Sequence, residues 1–494
     1  MQLSLKKNEI MHRQILLLVI VLLGIYSCNR KSDKENFSAN GTWKSVGSGW
    51  VLQIKDSTNY SFFDITSISC LPGRKGKFEE LQNALTLRND TLELKKGVIT
   101  YKFTKNNLPD LCHDITEHNN GDPLYNFEVF AKTVKENYAF FELNNINWNQ
   151  LYKTQKQKLT ENPSDVKLYR IIEETLEILN DNHAFIEATD EVYETIEKQS
   201  AQIEDIDSEA LPEYGDFQVA QKVAEHHMQE EFTEDSWLIQ WGKLTNDIGF
   251  IVVKSMWLYA DLAISKTLIE DIGYVDAYVE TFHKMYEGDY INKEVAAVSE
   301  LMDNVMEDLS DMESIVIDIR FNGGGQDAVS FEILSRFIAA ERLQIATQKL
   351  KNGTGYTPVL PLFINGKDNA YTKPIYILTS QQTGSAAESF TIATMTMNNV
   401  KRIGANTSGA MSTALEKTLP NGWSFAISNE IYMDNNGKCY ENIGIPVDYD
   451  LNYLNERQPF FRSVVGDLEA DKNDILKAIT DLKEKNQRIQ GASN

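Results

Sequence analysis

The chain is poor in cysteine, histidine and proline, and it has fewer positively than negatively charged residues. Its 494 residues include 4 Cys, 7 His and 11 Pro, with 48 Lys and Arg against 72 Asp and Glu. Without a CxxC pair, a structural zinc site with closely spaced thiolates is not expected. A net charge of −24 with no basic cluster argues against a nucleic-acid partner, because phosphate binding depends on grouped Lys and Arg. The remaining composition, 42% hydrophobic and 10% aromatic, is typical of a globular protein of about three domains.

The first thirty residues contain no apolar run long enough to span a bilayer, which takes about 20 residues. The run Ile15–Leu23 follows three basic residues, a pattern typical of a secretory signal; Met11 is an equally good start. Ser27-Cys28 resembles a bacterial lipobox, although Tyr26 is bulkier than that pattern prefers. By this resemblance residues 1–27 are a signal peptide of the lipoprotein type.

Cleavage there would leave Cys28 as an acylated first residue and residues 28–40 as a polar tether. We therefore expect an exported protein of the cell envelope, in the periplasm or at the outer membrane surface. A lipid anchor would attach it to the membrane, which is thus an expected partner. In such a compartment Cys70 and Cys112 could pair, although spacing alone does not establish it.

Hydrophobic periodicity predicts an α/β protein in which a smaller β domain and a helical segment precede the main core. Short β-like runs separated by Asp, Asn and Gly predict an antiparallel domain, helical spacing follows, and later apolar strands alternate with helices. The predicted divisions are a small β domain (41–110), a helical domain (122–190), an acidic helical connector with a solvated face (191–236), the α/β core (237–460) and a C-terminal helix (461–494).

Histidines beside other metal-binding side chains occur in two places. Cys112-His113 lies near His118, and His226 adjoins His227. Both pairs stand in polar surroundings, so we predict that they are solvated, and no metal or other cofactor is expected.

The segment Thr379–Phe390, TSQQTGSAAESF, follows a predicted buried strand and begins a helix. Gly384 permits a sharp turn, and Ser385 then stands at a helix N-terminus, where free N–H groups can stabilise an oxyanion. The alternative is a structural one: Ser385 and Glu388 have the spacing of a capping box, and capping serines are far commoner than nucleophiles.

A second segment, DIRFNGGGQ, also follows a buried strand and contains Gly323 and Gly324. Consecutive glycines allow close approach of a carbonyl to backbone N–H groups. A phosphate-binding loop is not indicated, because no Lys-Ser/Thr pair follows the glycines. A plain tight turn is the simpler interpretation when this segment is taken alone.

Together, DIRFNGGG, GSAAESF and the later YENIGIPVD resemble the tricorn and carboxyl-terminal processing serine peptidases in order, spacing and strand context. The resemblance covers roughly residues 248–448 and extends more weakly to the helical segment ending at LNDNHAFIEA. It implies a crotonase/ClpP-like α/β core. It also implies that Ser385 is the nucleophile and that the N–H groups of Ala386 and of Gly323 or Gly324 form the oxyanion hole.

The two branches of these peptidases differ in the general base. The processing branch uses a lysine about 25 residues after the serine, a position that Ala410 occupies here; a Ser–Lys mechanism would need Lys254 or Lys401 to reach the serine instead. The tricorn branch uses a histidine and a glutamate, which implies His183 as base and Glu441 as the orienting carboxylate, acting directly or through Asn182. Asn182 departs from the serine of that branch. No PDZ-like module fits between His183 and the core.

We therefore expect a serine peptidase, an endopeptidase acting on extended peptides or unfolded proteins through an acyl-enzyme on Ser385. An esterase or amidase using the same residues is a related alternative. A catalytically inactive ligand-binding protein on the same fold is the alternative from another class, because a fold does not fix a function.

Overall fold

The computed structural model describes residues 39–113, 120–200 and 211–492. The predicted signal peptide and the lipidation site Cys28 lie outside the described residues. The described helices are α1 (Glu79–Gln82), α2 (Pro123–Asn137), α3 (Trp148–Glu161), α4 (Asp165–Leu179), α5 (Asp190–Ser200), α6 (Asp216–His227), α7 (Lys266–Ile272), α8 (Tyr274–His283), α9 (Glu287–Leu309), α10 (Asp327–Ser335), α11 (Ala386–Thr394), α12 (Arg457–Gly466) and α13 (Leu468–Ala492).

Strands β1–β7 form an antiparallel N-terminal sheet in the order β4-β3-β2-β1-β7-β6-β5. Their bounds are β1 (Gly41–Ser45), β2 (Trp50–Lys55), β3 (Asn59–Ile65), β4 (Cys70–Lys77), β5 (Leu85–Arg88), β6 (Thr91–Lys96) and β7 (Ile99–Asn106). Alternating apolar side chains such as Trp43, Leu52 and Phe103 are buried inside this sheet, as strand periodicity requires. Cys70 at the start of β4 is disulfide-bonded to Cys112, so these two cysteines do pair.

The later strands form three further sheets. Their bounds are β8 (Phe185–Glu187), β9 (Glu230–Glu231), β10 (Ile239–Thr245), β11 (Ile248–Val253), β12 (Ser314–Asp318), β13 (Leu343–Asn352), β14 (Gly355–Tyr356), β15 (Leu360–Ile364), β16 (Ile375–Thr379), β17 (Val400–Gly404), β18 (Ala414–Thr418), β19 (Ser424–Ser428), β20 (Glu430–Met433) and β21 (Tyr449–Asp450).

The central sheet has the order β21-β17-β16-β12-β11-β10-β9 and is parallel from β11 to β21. Every residue of β11, β12 and β16 is buried, because helices cover both faces, as in parallel sheets generally. One face packs on α9, α10 and α11, and the other on α6, α12 and α13. The prediction of a mixed α/β protein with an antiparallel N-terminal sheet is confirmed.

Helices α2, α3 and α4 pack together around Phe127, Phe130, Leu168 and Leu176, with Ser164 as the N-cap of α4. The chain after α4 turns into the short strand β8, which pairs with β19 in a sheet of order β18-β19-β8. The helical segment is thereby attached to the core through a shared sheet.

The predicted solvated face of the connector is wrong for its second helix. The apolar residues Val219, Ala220, Val223 and Ala224 of α6 are buried against the central sheet. His227 is fully buried as well, so the prediction that it is solvated is also wrong. Its Nε2 lies 2.9 Å from Asp471 Oδ2 in α13, which explains how a polar ring is accommodated there.

Candidate active site

Ser385 occupies a strained turn between β16 and α11. Its φ is 51° and its ψ is −123°, a region that residues with a Cβ rarely adopt and that is found at functional sites. Its side chain makes no capping hydrogen bond to the helix. The half of a capping box that Ser385 would supply is therefore absent. The turn instead resembles a nucleophile elbow, which exposes a serine hydroxyl between a strand and a helix.

The glycine turn lies directly against Ser385, because β12 and β16 are adjacent parallel strands and their carboxyl ends meet at one edge. Asn322 holds the turn: its Nδ2 donates to Val253 O (3.0 Å), and its Oδ1 accepts from Gly324 N–H (2.9 Å). A Cβ on Gly324, whose φ is +113°, would lie 2.6 Å from Ser385 Cβ and 2.9 Å from the Ala386 nitrogen. Only glycine permits this approach.

Of the two candidate oxyanion-hole glycines, Gly324 already donates its N–H to Asn322. Gly323 is exposed at the same turn. Gly323 therefore stays the candidate to join Ala386, at the start of α11, in an oxyanion hole.

His183 lies two residues before β8, and the pairing of β8 with β19 places His183 beside the core. His183 and Ser385 line the same cavity, which has a volume of about 290 Å³. Asp181 fixes the local backbone: its Oδ1 accepts from His183 N–H (3.0 Å), and its Oδ2 accepts from Ser428 N–H (2.7 Å). Sequence reasoning missed Asp181, although an Asp two residues before a turn residue is a recognisable backbone-binding pattern.

The imidazole of His183 is held in its neutral form. Burial lowers the pKa of His183, and the Asp181 carboxylate offsets this only in part. Its Nδ1 is buried and has no hydrogen-bond partner among the described residues. A neutral ring is the form that can accept a proton.

Glu441 lies in the loop between β20 and β21. Its Oε2 accepts hydrogen bonds from the N–H groups of Met411 (3.0 Å) and Ser412 (3.2 Å). Its Oε1 is buried without a hydrogen-bond partner in the described part of the chain. Burial, followed by repulsion from the Glu388 carboxylate, raises the pKa of Glu441 to about 8.

Asn182 is exposed, and its Nδ2 donates to Gly409 O at 3.4 Å. No hydrogen bond from its side chain to His183 or Glu441 is present among the described residues. The arrangement brings Ser385 and His183 to one cavity but gives Asn182 a different partner.

Ala410 lies beside the serine: its carbonyl accepts from Ser385 N–H at 2.9 Å. The position of the processing-branch lysine is thus next to Ser385 and holds a methyl group. Of the substitutes, Lys254 contacts Gln221, with a pKa that burial lowers to about 8, and Lys401 lies in β17.

Glu388 is a further buried residue of the site. Its Oε1 accepts from Thr407 Oγ1 (2.6 Å) and Gly409 N–H (2.8 Å), and its Oε2 accepts from Ala410 N–H (2.6 Å). Burial raises the pKa of Glu388 to about 7, against the effect of these bonds. The spacing of Glu388 from Ser385 suggested a helix cap. The contacts of its carboxylate with the distant Thr407–Ala410 loop were therefore not predicted.

Among residues 39–113, 120–200 and 211–492, no group of three or more His, Cys, Asp or Glu side chains could hold a metal ion. In the same residues no helix is both long and apolar enough to cross a membrane.

Residues 271–451 match the model of peptidase family S41. The chain carries a domain of peptidase family S41 and is a hydrolase of the serine peptidase class. The prediction of this family is confirmed.

The solved structures that are similar to this chain include three proteases. Mature CPAF is 12% identical with a TM-score of 0.49, and the match covers 73% of this chain and 98% of that one. The photosystem II D1 C-terminal processing protease is 13% identical, with a TM-score of 0.37 and coverage of 69% and 96%. Tricorn protease is 12% identical, with a TM-score of 0.37 and coverage of 87% and 45%.

Proposed function

We propose that the protein is an endopeptidase that hydrolyses extended or unfolded chains through an acyl-enzyme on Ser385, with His183 as general base. The observation that carries the proposal is the cavity that the strained Ser385 shares with His183. A serine at an exposed elbow with an imidazole in the same cavity is the arrangement that nucleophilic acyl transfer requires.

In the first step Ser385 Oγ attacks the scissile carbonyl carbon while His183 takes the hydroxyl proton. The carbonyl oxygen becomes an oxyanion, which the N–H groups of Gly323 and Ala386 stabilise. The intermediate collapses to an acyl-enzyme as the imidazolium of His183 gives its proton to the leaving amine. Water then attacks the ester, His183 again takes and returns the proton, and Ser385 is restored.

Glu441 would stabilise the imidazolium directly. The two atoms that such a contact would join, His183 Nδ1 and Glu441 Oε1, are both buried without a hydrogen-bond partner among the described residues. Because an unpaired buried polar atom is costly, their pairing during the reaction would be favourable. Asn182 is not needed for this route.

We also propose that the mature protein is exported and anchored through acylated Cys28. The Cys70–Cys112 disulfide supports an oxidising compartment. When the whole sequence is expressed, metabolic labelling with a palmitate analogue should mark the mature protein, and Cys28→Ala should abolish the label. Equal labelling of both proteins would contradict the anchor.

Covalent labelling with a fluorophosphonate tests the catalytic assignment. We expect a single adduct that peptide mapping places on Ser385, no adduct in Ser385→Ala, and strongly slowed labelling in His183→Ala. His113→Ala, which replaces an exposed histidine, is the matched control and should label like the wild type. A folded wild-type protein that forms no adduct would instead support the ligand-binding alternative.

An esterase or amidase would label in the same way, so hydrolysis must be measured too. We expect cleavage of unfolded casein, with internal cut sites identified by mass spectrometry. Turnover of small esters without any cleavage of unfolded protein would favour the esterase alternative.

A further inference from the structure

The turn between β6 and β7, residues 96–98, extends from the N-terminal sheet to the active site. The cavity that contains Ser385 and His183 is also lined by Lys96, Gly97 and Val98. Residues of the N-terminal sheet therefore form part of the wall around the proposed nucleophile and base.

This turn is firmly packed on the peptidase core. Val98 packs against the main hydrophobic cluster of the core. A Cβ on Gly97 would lie 3.5 Å from Ile291 Cδ1 in α9 and 3.9 Å from Ala328 Cβ in α10. Further along β7, Tyr101 OH donates to Glu430 Oε1 at 3.3 Å. These contacts hold the turn in place against the core.

A second cavity, of about 400 Å³, continues the first one away from Ser385. It is bounded by Trp50 and Arg74 of the N-terminal sheet and by Glu430 of the core. The two cavities have a set of lining residues in common: Lys96, Tyr101, Gln326, Thr413, Ala414 and Glu416. Together they form one groove that begins at the nucleophile and runs between the N-terminal sheet and the core.

The opposite wall of this groove is strand β18. In its sheet of order β18-β19-β8 this strand pairs with a neighbour on one side only, among the strands of the described residues. Thr413, Ala414, Leu415 and Glu416 line the second cavity consecutively. Because side chains alternate between the faces of a strand, consecutive lining residues show that the main chain itself borders the groove.

We propose that the groove between the β6–β7 turn and β18 is the peptide-binding site, and that the substrate adds to the free edge of β18 as an extended strand. This inference rests on the proposed peptidase function. An edge strand offers unpaired N–H and C=O groups that an extended peptide can pair with. A folded substrate has these backbone groups already paired, so the site selects unfolded or extended segments.

Lys96 on the turn faces the groove together with the carboxylates of Glu416 on β18 and Asp327 at the start of α10. Lys96 lies close enough to Glu430 to influence its ionisation. In the groove Lys96 favours an acidic substrate side chain at the position that faces the turn. The N-terminal sheet thus determines substrate selectivity at that position.

A matched pair of charge reversals tests the wall. Lys96 and Lys102 both belong to the N-terminal sheet, but Lys102 in β7 is exposed and lines neither cavity of the groove nor the one beside it. Peptides that differ only by Glu or Lys at each position around the cut are compared by kcat/KM. At one position Lys96→Glu should lower the Glu-to-Lys preference about tenfold, equivalent to about 1.4 kcal/mol, while Lys102→Glu leaves it unchanged. Identical preferences in both variants would overturn the wall assignment.

Backbone methylation tests strand addition on the wild-type protein, so it does not depend on how any variant folds. Peptides carrying one N-methyl group at successive positions should lose kcat/KM at alternate residues, because only every second N–H of an added strand faces β18. Uniform sensitivity, or none, would overturn strand addition.

Fluorophosphonate labelling separates the two levels of inference. If the wild type neither labels nor cleaves peptides, the proposed function has failed. If it labels and cleaves, but the charge and methylation tests give the contrary results, the groove assignment alone has failed.

Discussion

The N–H of Ser385 donates a 2.9 Å hydrogen bond to the carbonyl of Ala410, so the residue in the lysine position of the processing branch is in direct contact with the serine proposed as nucleophile. A methyl group there cannot accept a proton. Under the proposed mechanism the base therefore comes from another part of the chain, and His183 is the histidine that lines the same cavity as Ser385.

We predict that His183→Ala lowers kcat/KM about 100- to 10,000-fold, the usual contribution of a general base. Lys401→Met serves as the control, because Lys401 lies in β17, and it should retain activity within about twofold. Both variants are assayed on an unfolded protein substrate. A large loss in Lys401→Met with activity preserved in His183→Ala would restore the lysine mechanism.

Gly324→Ala should both destabilise the protein and abolish activity, because the new Cβ would collide with Ser385 Cβ at 2.6 Å and Gly384 O at 2.8 Å. Gly422→Ala is the control, since Gly422 also has a positive φ (+89°) but nothing lies within 4 Å of its Cβ position. It should carry only the strain of its backbone, about 1 kcal/mol. Thermal unfolding and labelling of Ser385 measure the two effects, and wild-type labelling of Gly324→Ala would contradict the close approach.

The pH dependence of kcat/KM should report Glu441. On the acid side, activity should fall as His183 gains a proton. The fall should come below about pH 6.5, the ordinary pKa of histidine, because burial lowers the pKa of His183. Glu441 has a pKa of about 8, so its carboxylate form, which stabilises the imidazolium, increases as the pH rises through that value. The wild-type rate should therefore rise again between pH 7 and 9, and Glu441→Gln should lack this second rise. Retention of the rise in the glutamine variant would assign it to another group.

Asp471→Asn should lower the free energy of unfolding by about 3 kcal/mol, because one partner of a buried ion pair is removed. Arg320 Nη1 lies 2.7 Å from Asp471 Oδ1, and His227 binds the other oxygen. Burial alone would raise the pKa of Asp471, but Arg320 and His227 hold it well below its usual range.

The loss in Asp471→Asn should be full above about pH 4, the value for an unfolded aspartate, and shrink as the pH falls, because protonation removes the same charge from the wild type. Asp474→Asn, an exposed site in the same helix, is the control and should change stability little. Denaturant unfolding at several pH values gives the comparison, and equal stability of the two variants would contradict a structural role for this ion pair.

Strands with a clear apolar signal were predictable from the sequence, and β11, β12 and β16 are the examples. Strand β4 was not, because Pro72 and Gly73 argue against a strand. It is the edge strand of its sheet, where a missing N–H is tolerated. The burial of α6 was also missed, because its apolar face is narrow and its partners come from elements far apart in the chain.

The site shows the same division between local and distant information. The elbow at Ser385 and the turn at Gly324 are local, so short motifs revealed them. Glu388 and Asp181 bind backbone groups of distant segments, the Thr407–Ala410 loop and Ser428. No local pattern specifies such partners, and only the folded chain brings them together.

The short strand β8 has a consequence for how activity arises during folding. Ser385 lies within the family match, residues 271–451, whereas His183 lies before it and reaches the cavity only when β8 pairs with β19. In a chain whose core has folded but whose β8 has not docked, Ser385 would lack the histidine proposed as its base. Under the proposed mechanism, activity would therefore require the docking of β8 in addition to a folded core.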